Sequence, residues 1–214
     1  MEYNKLQLSK FEFDTQSYST YYIIGKRSSG KTHLINHILT KLNTSADFLS
    51  NTLVIGYEFS KQEYPSDIKV ISDYDPDIIT EYLRKEAGCI VFDNSIFKIP
   101  MWDSCKELHE LFYGNRHYKK SIIVCMETSS ELFPAIRYSF DHLFLFNEPY
   151  KHLQKELYEN FGSMLPSFDS FKEILSILTC NKYHCMILNK SNSNRLRDHI
   201  FWYSDHSASL KVSQ

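Results

Sequence analysis

Gly25-Lys26-Arg27-Ser28-Ser29-Gly30-Lys31-Thr32 is the stretch of this 214-residue chain whose residue types and spacing point most directly to chemistry. It fits G-x-x-x-x-G-K-[ST], where the glycines let the backbone curl so that successive N–H groups face a bound phosphate. The N-terminus of the helix that follows such a loop adds positive potential. In this frame Lys31 reaches the β- and γ-phosphates of a nucleotide, and the Thr32 hydroxyl ligates Mg²⁺. Tyr22, Ile23 and Ile24 before the loop and Leu34 and Ile35 after it supply the strand–loop–helix context.

A second carboxylate facing Mg²⁺ should close a buried strand. Gly88-Cys89-Ile90-Val91-Phe92-Asp93 supplies one, with Asp93 at the strand's C-terminal end, where open α/β sheets bind ligands. A GTPase reading fails on two counts. Asn189-Lys190-Ser191-Asn192 lacks the Asp of a base reader, and Ile96 stands where Gly should follow the Walker B Asp. A small-molecule kinase would need an acceptor-binding acid, which Glu58 could be, and an Arg-rich lid, of which the sequence gives no sign. Ile122 to Met126 is another apolar strand, ending in Glu127-Thr128-Ser129-Ser130. That suits ATPases with an extra central strand, whose polar tip touches the γ-phosphate or the attacking water.

The elements that must position these residues follow from hydrophobic periodicity. Strands are expected at Tyr18 to Ile24, Thr52 to Tyr57, Ile68 to Ser72, Gly88 to Phe92, Ile122 to Met126, His142 to Phe146, Tyr183 to Leu188 and Ile200 to Tyr203. Helices are expected at Lys31 to Leu42, Asp77 to Lys85, Ser104 to Tyr113, Pro149 to Phe161 and Phe168 to Leu178, with a helical turn at Leu132 to Tyr138. Continuous apolar strands alternating with helices predict an α/β fold, a mainly parallel sheet covered on both faces. The polar stretch Asn189 to Arg197 between the last two strands predicts a C-terminal hairpin.

Composition narrows the class. Hydrophobic residues make up 43% and charged residues 23%, as in an ordinary globular domain, which excludes disordered, collagenous and disulfide-scaffold chains. With 24 Lys+Arg against 26 Asp+Glu the net charge is −2, so a uniformly basic nucleic-acid binder is excluded and any such contact must be local. The odd set Cys89, Cys105, Cys125, Cys180 and Cys185 predicts reduced thiols in an intracellular protein. No apolar run approaches the ~18 residues that span a bilayer. His33 and His37 lack the Glu and third ligand of a zinc site, and Cys180, His184 and Cys185 lack a completing pair, so packing roles are expected for both groups.

The motif order resembles the viral DNA-packaging ATPases of the FtsK–HerA lineage, the poxvirus and giant-virus type. The resemblance runs over about residues 18 to 205. It rests on the P-loop, on Cys89-Ile90-Val91-Phe92-Asp93-Asn94, and on Gly114-Asn115-Arg116-His117-Tyr118 leading into Ser121-Ile122-Ile123-Val124. Pro134-Ala135-Ile136-Arg137 before Asp141 and the aromatic Ile200-Phe201-Trp202-Tyr203 complete it. It implies a P-loop fold of the additional-strand, RecA/FtsK-like type, over residues 1–214 as one ATPase domain. Residues 1–17 would be an N-terminal extension, and 180–214 the C-terminal hairpin and tail.

Two departures bear on catalysis. The family places a second acid after the Walker B Asp, where this chain has Asn94, and an amide is no useful proton acceptor at neutral pH. At the tip of the extra strand the family carries Gln, where this chain has Glu127. The expectation is that carboxylate and amide have exchanged places, Glu127 acting as general base while Asn94 orients the water. Glu58 is the alternative base.

The resemblance further implies a homo-oligomeric ring, pentamer or hexamer, in which an Arg of the neighbouring subunit completes each site. Arg116 is the first candidate, because it matches the family's Arg-His position, and Arg137 the second. The implied cofactors are ATP and Mg²⁺, held by Thr32 and Asp93. The implied partners are double-stranded DNA and the capsid or portal-vertex proteins of a virus, in the virion or the host-cell cytoplasm. Candidate DNA contacts are Arg116, Lys119 and Lys120, Arg195 and Arg197, and a pore loop at Phe97, Lys98, Met101 and Trp102. Two alternatives stay open: a plasmid-transfer or chromosome-segregation pump of the same superfamily, and a nucleotide-binding scaffold that hydrolyses poorly.

Overall fold

The computed structural model describes residues 8–15, 17–96, 99, 105–190 and 195–204, leaving aside the side chains of 58–60 and 196. The strands are β1 (Thr20–Ile24), β2 (Leu53–Ile55), β3 (Lys69–Ile71), β4 (Gly88–Asp93), β5 (Lys120–Met126), β6 (His142–Leu145), β7 (His184–Asn189) and β8 (Ile200–Ser204). They form one sheet in the order β3-β2-β4-β5-β1-β6-β7-β8. Pairing is parallel from β3 through β6 and antiparallel for β6–β7 and β7–β8, so the last two strands form the expected hairpin.

Every residue of β1, β4 and β5 is buried, as their unbroken apolar runs require of central strands. Their side chains alternate between two cores. Tyr22, Ile24, Ile90 and Phe92 face one, while Tyr21, Ile23, Cys89 and Val91 face the other. The first core is roofed by four helices, α2 (Pro76–Arg84), α3 (Lys106–Gly114), α4 (Lys151–Phe161) and α5 (Phe168–Leu178). The second is covered by α1 (Lys31–Leu42), which buries Leu34, Ile35, Ile38, Leu39 and Leu42 at helical spacing. α2 starts where Asp75 accepts from the N–H groups of Asp77 and Ile78 and Pro76 fills the first turn.

Three local features differ from the sequence reading. The helical turn expected over Leu132 to Tyr138 is two short 3₁₀ turns, Ser129–Glu131 and Pro134–Ile136. Pro134 has no N–H to continue the first, and Thr128 with Glu131 closes it as a reciprocal cap. A further 3₁₀ segment, Glu58–Glu63, follows β2. The N-terminal segment also joins the sheet edge. Phe11 N donates to Trp202 O at 2.9 Å, and Trp202 N to Ser9 O at 3.2 Å. Phe11 and Phe13 then pack on Phe144 at 5.4 and 6.1 Å between ring centroids, and Phe13 on His37 at 5.7 Å, so His37 belongs to an aromatic cluster.

Lys120, grouped by sequence with the exposed basic residues, is fully buried. Its ammonium donates to the carbonyls of Lys85, at 3.1 Å, and Glu86, just past the end of α2. Burial pushes its pKa down to about 8 from 10.5. A lysine whose folded pKa lies below its unfolded value opposes folding at neutral pH, and that cost fades as pH rises from about 8 to about 10.5. Wild type should therefore gain stability relative to Lys120→Met between pH 8 and 10, read as the difference of their urea midpoints. Parallel midpoints across that window would contradict it.

Candidate active site

β1 ends at Ile24, and the backbone turns at once into the loop Gly25 to Thr32. Ser28 and Gly30 both hold left-handed backbones, with φ of 62° and 103°. Gly30 has no free choice of side chain, because an added Cβ would also stand 2.6 Å from the Tyr183 ring. At Gly25 an added Cβ would stand 2.7 Å from Ser29 Oγ and 2.8 Å from Phe146 Cβ. Gly30 caps α1, whose first turn carries no acidic residue, so its N-terminal positive potential is uncompensated. Lys31 is buried and its ammonium folds back onto the loop, 2.7 Å from Gly25 O and 3.0 Å from Lys26 O. The Ser29 hydroxyl is buried with no hydrogen-bond partner among the described residues.

Sheet register brings the other candidates to the same edge. Asp93 pairs with Cys125 and Ile24 with Met126, so Gly25 and Glu127 are each the first residue past paired strand ends. Gly25 N donates to Met126 O at 3.2 Å, and Asn94 N to Cys125 O at 3.0 Å. Lys31, Thr32, Asp93, Asn94 and Glu127 thus share the C-terminal edge of three neighbouring strands, with β5 inserted between the P-loop strand and the Asp93 strand. That insertion is the topology expected from the extra apolar run.

Asp93 is buried and both its oxygens are engaged. Tyr64 donates its hydroxyl to Oδ2 at 2.7 Å, and Asn94 donates Nδ2 to Oδ1 at 3.1 Å. Burial, with the Asp93 charge beside it, pushes the Tyr64 hydroxyl well above the usual tyrosine range, so it remains a donor. Tyr64 enters the site because Asn36 on α1 holds Glu63 O at 2.8 Å. Sequence reading missed Tyr64: it follows an aperiodic 3₁₀ segment and meets Asp93 across 29 positions. Tyr64→Phe should cost about 1–3 kcal/mol, the price of an under-satisfied buried carboxylate oxygen, measured by urea unfolding. An unchanged midpoint would show that Asp93 finds another donor.

Asn94 has φ 49° and an Oδ1 that is buried and without a partner among the described residues. Asn tolerates this backbone better than Glu does, which gives a local reason for the amide where the resemblance implies an acid. Glu127 Oε1 accepts from Arg27 Nε at 3.2 Å, and Lys26 Nζ lies 3.4 Å from Glu148 Oε2. Lys26 and Arg27, unlike Lys31, are therefore tied to acids past the tips of the strands that flank β1. Glu127 and Glu148 also line one cleft beside α4.

The two Arg candidates lie elsewhere. Arg116 stands before β5 and pairs with Asp141 at 2.8 Å, while Asp141 also accepts from Thr20 N at 2.9 Å. These residues start β5, β6 and β1, so Arg116 sits on the edge opposite its own P-loop, roughly 20 Å away along a seven-residue strand. Arg137 donates to Asn160 Oδ1 at 3.2 Å beside α4, with its Nε buried and unpartnered among the described residues. Glu58 begins its 3₁₀ segment, but its side chain lies outside the described ones. Phe97, Lys98, Met101 and Trp102, the pore-loop candidates, lie outside the described residues.

No family model matches the chain. It is 24% identical over 225 residues to an uncharacterised protein of Acanthamoeba polyphaga mimivirus, covering 95% of this chain and 78% of that protein. It is 26% identical over 220 residues to an uncharacterised protein of Invertebrate iridescent virus 3, covering 96% and 83%. Among solved structures, the DNA-packaging ATPase of Sulfolobus turreted icosahedral virus superposes with a TM-score of 0.63 at 17% identity, over 89% of this chain and 99% of that one. The genome-packaging NTPase of Sulfolobus turreted icosahedral virus 2, in complex with AMPPCP, gives 0.64 at 15% identity, over 90% and 99%. The fold of this chain is that of the P-loop packaging ATPases, and its relatives in sequence are viral proteins.

Proposed function

We propose that this chain is the subunit of an ATP-driven motor of the FtsK–HerA type that moves double-stranded DNA into a viral capsid. The observation that carries the reading is the convergence of the Gly25–Thr32 loop, Asp93, Asn94 and Glu127 on one sheet edge with β5 between β1 and β4. The viral relatives and the packaging-ATPase fold support it.

The residues present fit a magnesium nucleotide. Gly25 and Gly30 leave a cradle that a Cβ would fill, and the buried Ser29 hydroxyl and Asn94 Oδ1 have no partners among the described residues. Lys31 would exchange one of its two carbonyl contacts for phosphate oxygens. Thr32 and Asp93 would hold Mg²⁺, Asp93 through water, with Tyr64 fixing the carboxylate's orientation. Asn94 would orient the attacking water and Glu127 would accept its proton. ATP supplies the phosphoryl group transferred, and Mg²⁺ offsets charge on its oxygens. Arg116 on the far edge, or Arg137, would serve the neighbouring subunit of a pentameric or hexameric ring. Each subunit would need only a few basic DNA contacts, which fits the chain's near-zero net charge.

A second reading has its own observation. With Asn94 in the acid's place and Glu127 tied to Arg27, the chain could bind nucleotide without turning it over, as a scaffold. Phosphate release with and without double-stranded DNA separates the two. DNA-stimulated turnover is expected of the motor, and nucleotide binding without turnover under either condition would establish the scaffold.

A further inference from the structure

Besides Lys31, the P-loop carries two cations, Lys26 and Arg27, held in unlike surroundings. Glu148 keeps only 6% of its side chain exposed. Its second oxygen accepts from Tyr150 N at 3.0 Å, and Gln154 Nε2 binds its carbonyl at 2.7 Å. Its partner Lys26 also lies 5.4 Å from the centre of the Tyr150 ring. A charge so enclosed does not give up its counter-ion readily. The Arg27–Glu127 pair is open to water, with 90% and 37% of the two side chains exposed. Such a pair is screened and contributes little, so a competing anion can displace it. Beyond Lys31 at its floor, a triphosphate entering the loop would meet one fixed cation, Lys26, and one movable cation, Arg27.

We propose that Arg27 is a movable cation acting within its own subunit, resting on Glu127 without a terminal phosphate and shifting onto the γ-phosphate when one is present. The inference rests on the ATP-site reading. Arg27 stands two residues past Gly25, inside the loop, and its planar guanidinium can take two phosphate oxygens at once. The shift exchanges hydrogen bonds and breaks no covalent bond. Its consequence is a coupling: the γ-phosphate frees the Glu127 carboxylate to face water at the moment there is a bond to hydrolyse. A diphosphate, reaching only the inner part of the loop, leaves Glu127 latched.

Equilibrium binding of a fluorescent non-hydrolysable ATP analogue and of fluorescent ADP to the full chain tests this. Arg27→Ala should weaken the triphosphate analogue roughly tenfold and leave ADP within about twofold. Arg27→Lys should fall between, and Lys26→Ala should weaken both nucleotides alike. Equal weakening of both nucleotides by Arg27→Ala, or weakening of neither, would overturn the proposal and leave the ATP site standing. If wild type bound neither nucleotide, both readings would fall.

Discussion

Exchange of Glu127 for Gln is expected to lower ATP turnover by roughly 10²–10⁴-fold while leaving nucleotide affinity within about twofold. The substitution keeps size and one acceptor oxygen but removes proton-accepting capacity. Glu127 is the expected base because of where it stands: one residue past β5, on the edge shared with Asp93 and Asn94, and open enough to admit water. Asn94 cannot take the proton itself: its Nδ2 donates to Asp93, and its amide oxygen can only hold the water in place. The steady-state rate and the affinity for a non-hydrolysable analogue decide the matter. Turnover retained in Glu127→Gln would move the base to Glu58 and reduce Glu127 to a partner of Arg27.

Replacing Lys31 by Ala should abolish detectable nucleotide binding, an affinity loss on the order of a hundredfold. Charge-assisted hydrogen bonds to phosphate are worth about 1.5–3 kcal/mol each, and this ammonium would form more than one. The geometry sharpens the expectation, since Lys31 is buried at the loop's floor with its ammonium inside the curl of Gly25 and Lys26. Lys26 and Arg27 do not stand in for it at the loop's floor, because both rest outward on acids at the strand tips. Calorimetric titration with ATP reads the loss, and an unchanged circular dichroism spectrum excludes misfolding. Wild-type affinity in this variant would mean that the loop does not bind phosphate.

The parts of the site that follow local rules were legible in the sequence. α1 runs from Lys31 to Leu42 as its apolar spacing requires, and β4 and β5 are the uninterrupted apolar runs they look like. The residues that hold these parts together were not legible, because their partners are distant in sequence. Tyr64 meets Asp93 across 29 positions, and Arg27 meets Glu127 across 100. Lys120 reads as a surface lysine until the carbonyls past α2 are seen to receive it. Phe11 and Phe13 alternate with Glu12 and Asp14 over too few residues to mark a strand, and their placement comes from β8 and the aromatic cluster behind it.

DNA movement is the central claim, and hydrolysis alone does not establish it. The direct measurement places a fluorescent third strand as a triplex on double-stranded DNA and follows its release on addition of protein and ATP. Release that requires ATP hydrolysis and is lost in Lys31→Ala is the result expected of a motor. ATP turnover stimulated by the same DNA, with the third strand left in place, would contradict translocation.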